Sequence, residues 1–148
     1  MTGYLTDYEN TEYRLPELTG WEICHSWGLP ADSFQITLAY RGDAASLLGS
    51  AVRFRGVYEG KTVFCGIVDE YELGFSGAET LITISGRGLG GLLVDNQCER
   101  AEYILCGIND VLSRYVYPLG IETGECDSMP ALTGYTVSSG TSCWNALE

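Results

Sequence analysis

The stretch from Val63 to Cys98, VFCGIVDEYELGFSGAETLITISGRGLGGLLVDNQC, limits what this chain can become more than any other part of it. From Val63 to Val68 both alternating faces are apolar, Val63, Cys65 and Ile67 against Phe64 and Val68, the pattern of a strand start buried on two sides. Beyond it the alternation turns one-sided, with Tyr71 and Leu73 on one face and Glu70 and Glu72 on the other. The strand is therefore expected to leave the core and run along a solvated or partner-facing surface. Gly74-Phe75-Ser76-Gly77 supplies glycines for a tight reversal, and Thr80 to Ser85 re-enters rich in β-branched residues. The stretch reads as an antiparallel hairpin.

The 148 residues leave room for one domain with a real core, or for one domain and part of another. Nineteen glycines and ten tyrosines, beside short runs rich in Val, Ile and Thr, favour a mainly β architecture. Trp21 to Trp27 alternates, with Trp21, Ile23, His25 and Trp27 on one face, and reads as a strand with both tryptophans inward and His25 as a hydrogen-bonded core residue. Ser33 to Tyr40 is a second strand, with Phe34, Ile36 and Leu38 inward and Gln35 and Thr37 outward. Arg41-Gly42-Asp43 after it reads as a turn rather than an adhesion motif, and Ala44 to Gly49 as a helical turn or loop. Ala51 to Val57 is a third strand with Arg53 and Arg55 on one face, and Tyr58-Glu59-Gly60-Lys61 turns it into the hairpin. Met1 to Gly20, polar, tyrosine-rich and interrupted by Pro16, reads as a mobile arm or edge segment. Strands at this spacing imply a small antiparallel barrel or sandwich.

Charge and cysteine usage exclude several classes. A net charge of −12, with scattered basic residues, gives no cationic surface for tight phosphate binding; an acidic surface instead lets DNA pass without sticking. The six cysteines form no CxxC, and the single histidine, His25, has no zinc-type spacing, so no metal site is expected and the thiols are expected reduced and mostly packed. Neither a secretory signal pattern nor a membrane span is visible. Gly86-Arg87-Gly88-Leu89-Gly90-Gly91 satisfies G-x-G-x-x-G, but its strand pairs backwards in a hairpin and Leu92 to Asp95 is too short for a crossover helix, so no nucleotide cofactor is expected. Ser139-Gly140-Thr141-Ser142 lacks the lysine of a phosphate-binding loop.

One short helix is expected around Asp110 to Tyr117, capped by Asn109, with Val111, Leu112, Tyr115 and Val116 as its apolar stripe and Pro118 and Gly120 as its stop. Leu119 to Thr133 reads as a loop, and a second helix as starting near Ser142. Ending there would strand Cys143, Trp144 and Leu147, so a longer chain or another subunit is expected to cover them. The resulting division is a β-barrel domain over residues 1–100, with its polar arm over 1–20. A helix-containing part over 101–148 would hold the start of a second, incomplete α/β element.

Several of these segments together carry a resemblance. Phe64, Gly66, Ile67, Val68 and Asp69, then Ser85-Gly86-Arg87 and Leu93-Val94-Asp95, resemble the baseplate hub proteins of phage tails, the late-control-D type related to the base of VgrG-type spikes. Ala101-Glu102-Tyr103, the helix ending in Pro118-Leu119-Gly120-Ile121, and the Tyr135 to Glu148 segment with Gly140 and Trp144 are similar to the same family in the same order. Gly88 departs from the acidic or polar residue that often follows the arginine, and the first fifty residues match nothing in the family.

The resemblance implies a virion structural protein of a phage or prophage tail, made in the bacterial cytoplasm. Pairs of small β-barrels in each subunit would assemble as a trimer, giving a pseudo-sixfold ring between tail tube and spike for the passage of DNA or an effector, with DNA not tightly bound. Phe64, Gly66, Asp69, Gly86, Arg87, Asp95, Gly140 and Trp144 would be its motif and assembly residues. Asp69, Glu70 and Glu72 are equally open to a lumen face or an ordinary solvated strand face. Two alternatives remain. One is a tail-tip wall hydrolase using Glu70 and Glu72 as acid and base, although no Cys-His or Ser-His arrangement is legible. The other is a host-glycan binding module using Trp21, Trp27 and the tyrosines.

Overall fold

The computed structural model of the chain describes residues 1–40, 48–76, 79–125 and 127–148. The Arg41-Gly42-Asp43 turn and most of the Ala44 to Gly49 segment lie outside the described residues. The chain forms two compact units, Met1–Leu89 and Gly90–Glu148.

The first unit is one seven-stranded antiparallel sheet built from β1 (Thr2–Asp7), β2 (Glu12–Arg14), β3 (Leu18–Cys24), β4 (Ser33–Ala39), β5 (Ala51–Tyr58), β6 (Lys61–Ser76) and β7 (Glu79–Gly88). Its spatial order is β2-β1-β5-β6-β7-β4-β3. The hairpin of β6 and β7 is its centre, as the alternation implied. A two-residue turn with positive φ at Glu59 (50°) and Gly60 (77°) joins β5 to β6, which is why glycine stands there.

The sheet curls around a single core. Phe34 on β4 and Phe54 on β5 are separated by two strands, which in a flat sheet would hold them about 14 Å apart. Their ring centroids lie 4.4 Å apart, stacked. The curl stays open, because among the described residues the edge strands β2 and β3 do not pair with each other. The fold is thus mainly β and antiparallel, sandwich-like rather than a closed barrel. Leu5, Ile36, Leu38, Ile82 and Ile84 complete its buried face, each worth about 1.5–3 kcal/mol against exposure.

A sheet curled about one core buries one face only, and several expectations give way to that fact. Val63 and Cys65 face solvent, so the start of β6 is buried on the Phe64 side and not on two sides. Trp21 is half exposed and Trp27 fully exposed, because β3 is an edge strand and Trp27 follows its end. Trp21 packs instead beside Tyr58, with ring centroids 5.9 Å apart. His25 is hydrogen-bonded, to Asp32, but is largely exposed and not a core residue. Residues 1–20 are strands: β1 lies inside the sheet between β2 and β5 with Leu5 fully buried, while β2 and β3 form the two edges.

The second unit contains α1 (Gly91–Asp95), β8 (Ala101–Cys106), α2 (Ile108–Tyr115), a 3₁₀ turn (Tyr117–Leu119) and β9 (Leu132–Val137), with β8 and β9 paired antiparallel. Gly107, not Asn109, caps α2, and its N–H donates to Asp110 Oδ2 at 2.8 Å. Val111, Leu112, Tyr115 and Val116 are buried as their spacing required, and Gly120, at φ 72°, ends the turn after Pro118. No second helix starts at Ser142. That segment forms successive turns, with Ala146 N–H donating to Ser142 O and Leu147 N–H to Trp144 O. Its apolar side chains are not stranded either: Cys143 and Ala146 are buried with Leu93, Cys98 and Val137, and Trp144 and Leu147 pack partly against them.

Candidate functional site

Five of the motif residues meet where β6 crosses β7. Phe34, Phe54 and Phe64 pack as a trio, with centroids 4.4, 5.2 and 6.3 Å apart. Each faces a glycine on the neighbouring strand: Phe34 opposite Gly86, Phe54 opposite Gly66 and Phe64 opposite Gly56. Rings of this size fit side by side because the opposing position has no side chain. A methyl group at Gly86 would stand 2.0 Å from the Ile67 carbonyl oxygen and 2.7 Å from Phe34 Cε1. One at Gly66 would stand 2.2 Å from the Arg87 carbonyl oxygen and 2.6 Å from Phe64 Cε1. The spacing Phe64-x-Gly66 and the glycine of Ser85-Gly86-Arg87 are therefore the means by which the sheet closes on its aromatic core.

The polar members of the motif sit on the other side of the same crossing. Register shifts between Val68 and Glu70, so Asp69 is an extra residue in β6, a bulge that re-aims its side chain. Its carboxylate receives both arms of the Arg87 guanidinium, Nε at 2.8 Å and Nη2 at 2.9 Å. The pair is more than one-third exposed, so its fork geometry pins the bulge more than it stabilises the fold.

Next to it a polar row crosses four strands: Glu22, Gln35, Ser85 and Glu70 are successive cross-strand partners from β3 through β4 and β7 to β6. Ser85 Oγ donates to Glu70 Oε1 at 3.3 Å. This row and the Asp69 carboxylate line an open groove of about 490 Å³, whose carboxylates are Glu22, Asp69 and Glu70. Between β3 and β4, His25 Nδ1 and Asp32 Oδ2 lie 2.6 Å apart, and Ser26 N–H donates to Asp32 Oδ1. The hydrogen bond with His25 holds the Asp32 carboxyl below its ordinary value, against the opposing effect of burial. Asp32 thus staples the turn between β3 and β4.

The other three motif residues belong to the second unit. Asp95 ends α1, Gly140 at φ 83° donates its N–H to Cys98 O, and Trp144 donates its N–H to Leu93 O, tying the C-terminal turns to α1. A pair that sequence reasoning missed lies on the outer face of β2-β1-β5. Arg55 Nε and Nη2 bond both oxygens of Glu12, at 2.8 and 2.6 Å, with the guanidinium 4.2 Å over the Tyr4 ring. The Arg55 hydrogen bond holds the Glu12 carboxyl below its ordinary value. No local signal could have revealed it, since the partners lie 43 residues apart.

The chemistry on offer is that of a binding or packing surface. Glu70 and Glu72 are neighbours on an exposed strand face, and among the described residues no three His, Cys, Asp or Glu side chains converge as a metal site. Among the described residues no helix is long and apolar enough to cross a membrane.

No protein-family model matches the chain, and no curated protein matches it in sequence. Its fold, however, is that of solved tail proteins. Over 99% of its length it superposes on the tail protein from Neisseria meningitidis MC58, with a TM-score of 0.70 and 23% identity, covering 43% of that chain. It superposes equally extensively on the 43 kDa tail protein of prophage MuSo2 from Shewanella oneidensis, with a TM-score of 0.64 and 17% identity, covering 47% of that chain. The chain thus spans less than half the length of either tail protein.

Proposed function

We propose that this chain is a structural component of a phage or prophage tail, and within it a part of the baseplate hub that joins tail tube to spike. The observation that carries the reading is the fold likeness to two tail proteins across 99% of the chain. The order of hub-type motifs from Phe64 to Trp144 supports the finer assignment. In this reading further copies pack beside it, as a trimer, into a ring through which DNA passes. The net charge of −12 supports that role, because a carboxylate-rich surface repels a phosphodiester backbone and releases no counterions from it. Glu70 and Glu72, exposed on β6, are assigned to the lumen side. The role is structural and not enzymatic.

The test is native mass across a concentration series, followed by electron microscopy of the largest species. A trimer or larger closed ring is expected. A folded chain that stays monomeric at every concentration refutes the ring.

The exposure of Trp21 and Trp27 favours a second reading, a surface that stacks on host glycans. Saccharide-dependent quenching of their fluorescence, lost in Trp21→Ala and Trp27→Ala, would establish it.

A further inference from the structure

We propose that Cys98 and Cys143 are a disulfide-forming pair, an oxidative latch that fastens the C-terminal turns to the segment following α1. The inference stands on the second unit alone and does not depend on the tail role.

The two sulfurs are 3.6 Å apart and both residues are buried. Their approach follows from the backbone. Gln97 and Ser142 form an antiparallel bridge, Cys98 N–H donates to Thr141 O at 2.7 Å, and Cys143 N–H donates to Asn96 O at 2.9 Å. Cys98 and Cys143 are thus diagonal neighbours across a short hydrogen-bonded ladder, and their sulfurs already lie 3.6 Å apart. Closing the S–S bond needs the sulfurs to move together by about 1.5 Å, to the usual length near 2.05 Å.

The reaction is exchange with a low-molecular-weight disulfide such as glutathione disulfide. The Cys143 sulfur, as thiolate, attacks one sulfur of glutathione disulfide and one glutathione leaves as thiolate. The Cys98 sulfur, as thiolate, then attacks the Cys143 sulfur of the mixed disulfide; the Cys98–Cys143 bond forms and the second glutathione leaves. The protein loses two protons and two electrons, and glutathione disulfide becomes two glutathione molecules.

Burial sets the rate. Loss of hydration, with the hydrogen bond to Cys143 adding to it, pushes the Cys98 thiol up to about 12, so little thiolate is present at neutral pH. Both exchanges must wait for the C-terminal turns to open and hydrate the thiols; the second is intramolecular, and the turns reseat on the finished bond. Exposed Cys24 and Cys65 are open to the reagent and, among the described residues, neither has a cysteine beside it.

The experiment incubates the folded chain with glutathione disulfide, blocks remaining thiols in denaturant with iodoacetamide, and maps the products by mass spectrometry. Cleavage after Arg100 and Arg114 separates Cys98, Cys106 and Cys143, and cleavage at Met129 separates Cys126 from Cys143. Expected are Cys24 and Cys65 carrying glutathione, and Cys98 joined to Cys143 with the loss of two hydrogen atoms. The oxidised chain should melt higher than the reduced chain, a gain that dithiothreitol and Cys143→Ser each abolish. Cys98 and Cys143 both recovered alkylated at exchange equilibrium, both carrying glutathione, or joined to other cysteines would overturn the proposal. The map is made on the unsubstituted chain, so it stands even where a variant fails to fold.

Discussion

Substituting Gly86 by alanine tests the idea that glycines opposite aromatic rings close the first unit's sheet. Neither Gly86 nor Gly66 has a positive φ, so the backbone itself would accept alanine and only space forbids it. The added methyl would stand 2.0 Å from the Ile67 carbonyl oxygen, where carbon and oxygen normally approach to about 3.3 Å. β6 and β7 must therefore part by more than about 1 Å at this crossing, and Phe34, 2.7 Å from the methyl, must shift in its stack on Phe54. Overpacking of this kind costs about 1–3 kcal/mol, and two strained ladder bonds add about 1 kcal/mol each. The expected loss is about 3–5 kcal/mol, a large share of the stability of a domain this size. Gly74→Ala, on the neighbouring strand β6 with nothing within 4 Å of the added methyl, is the control and should change stability by less than about 1 kcal/mol. Urea unfolding followed by circular dichroism reads the difference as a fall in midpoint at constant slope. A Gly86→Ala midpoint equal to that of Gly74→Ala would refute the reasoning.

Phe54→Ala removes the ring that stacks on Phe34 in the buried core and should cost about 3–5 kcal/mol in the same assay. Asp69→Asn removes the carboxylate charge from the half-exposed fork between Asp69 and Arg87 and should cost less than about 1 kcal/mol, a difference that shrinks as salt is added. Glu12, held below its ordinary 4.5 by Arg55, is charged in the fold where the unfolded chain would already bind a proton. The stability it contributes is complete above pH 4.5 and is lost as pH falls through the lower folded value. Melting temperature against pH should therefore decline less steeply on the acid side in Glu12→Gln than in the unsubstituted chain.

The parts of the fold legible in the sequence are those where one face is buried and the chain alternates cleanly. β4, with Phe34, Ile36 and Leu38 inward, the Ile82 and Ile84 face of β7, and the stripe of α2 are all of this kind. Where the outward face is also apolar, alternation names two faces without saying which one is in. Cys65 on β6 was misplaced for that reason, whereas Trp21 shares the inward face of β3 with Ile23 and is half exposed because the strand lies at the edge. Position in the sheet decides such cases, and the edge location of β3 follows from pairings more than ten residues distant. β1, β2 and β8 were hidden by polar and aromatic residues, Tyr4, Glu12 and Tyr103 among them, whose partners lie on other strands. Of the motif, the sequence could mark Phe64, Gly66, Asp69, Gly86 and Arg87, but not that three phenylalanines from three strands fill the space the glycines leave.

That division of labour bears on where function can reside. The apolar and glycine members of the motif are consumed in closing the sheet, and its charged members, Asp69 and Arg87, hold each other across a bulge. The inner face is filled by the aromatic trio. What the first unit presents outward is the row Glu22, Gln35, Ser85 and Glu70 beside Asp69, three carboxylates on one open groove. Such a surface carries negative potential into the solvent over roughly a Debye length, about 8 Å at physiological salt. A passing phosphate backbone meets repulsion there and finds no cationic cluster to hold it. In the proposed tail role, these carboxylates are what a wall along which DNA slides would need.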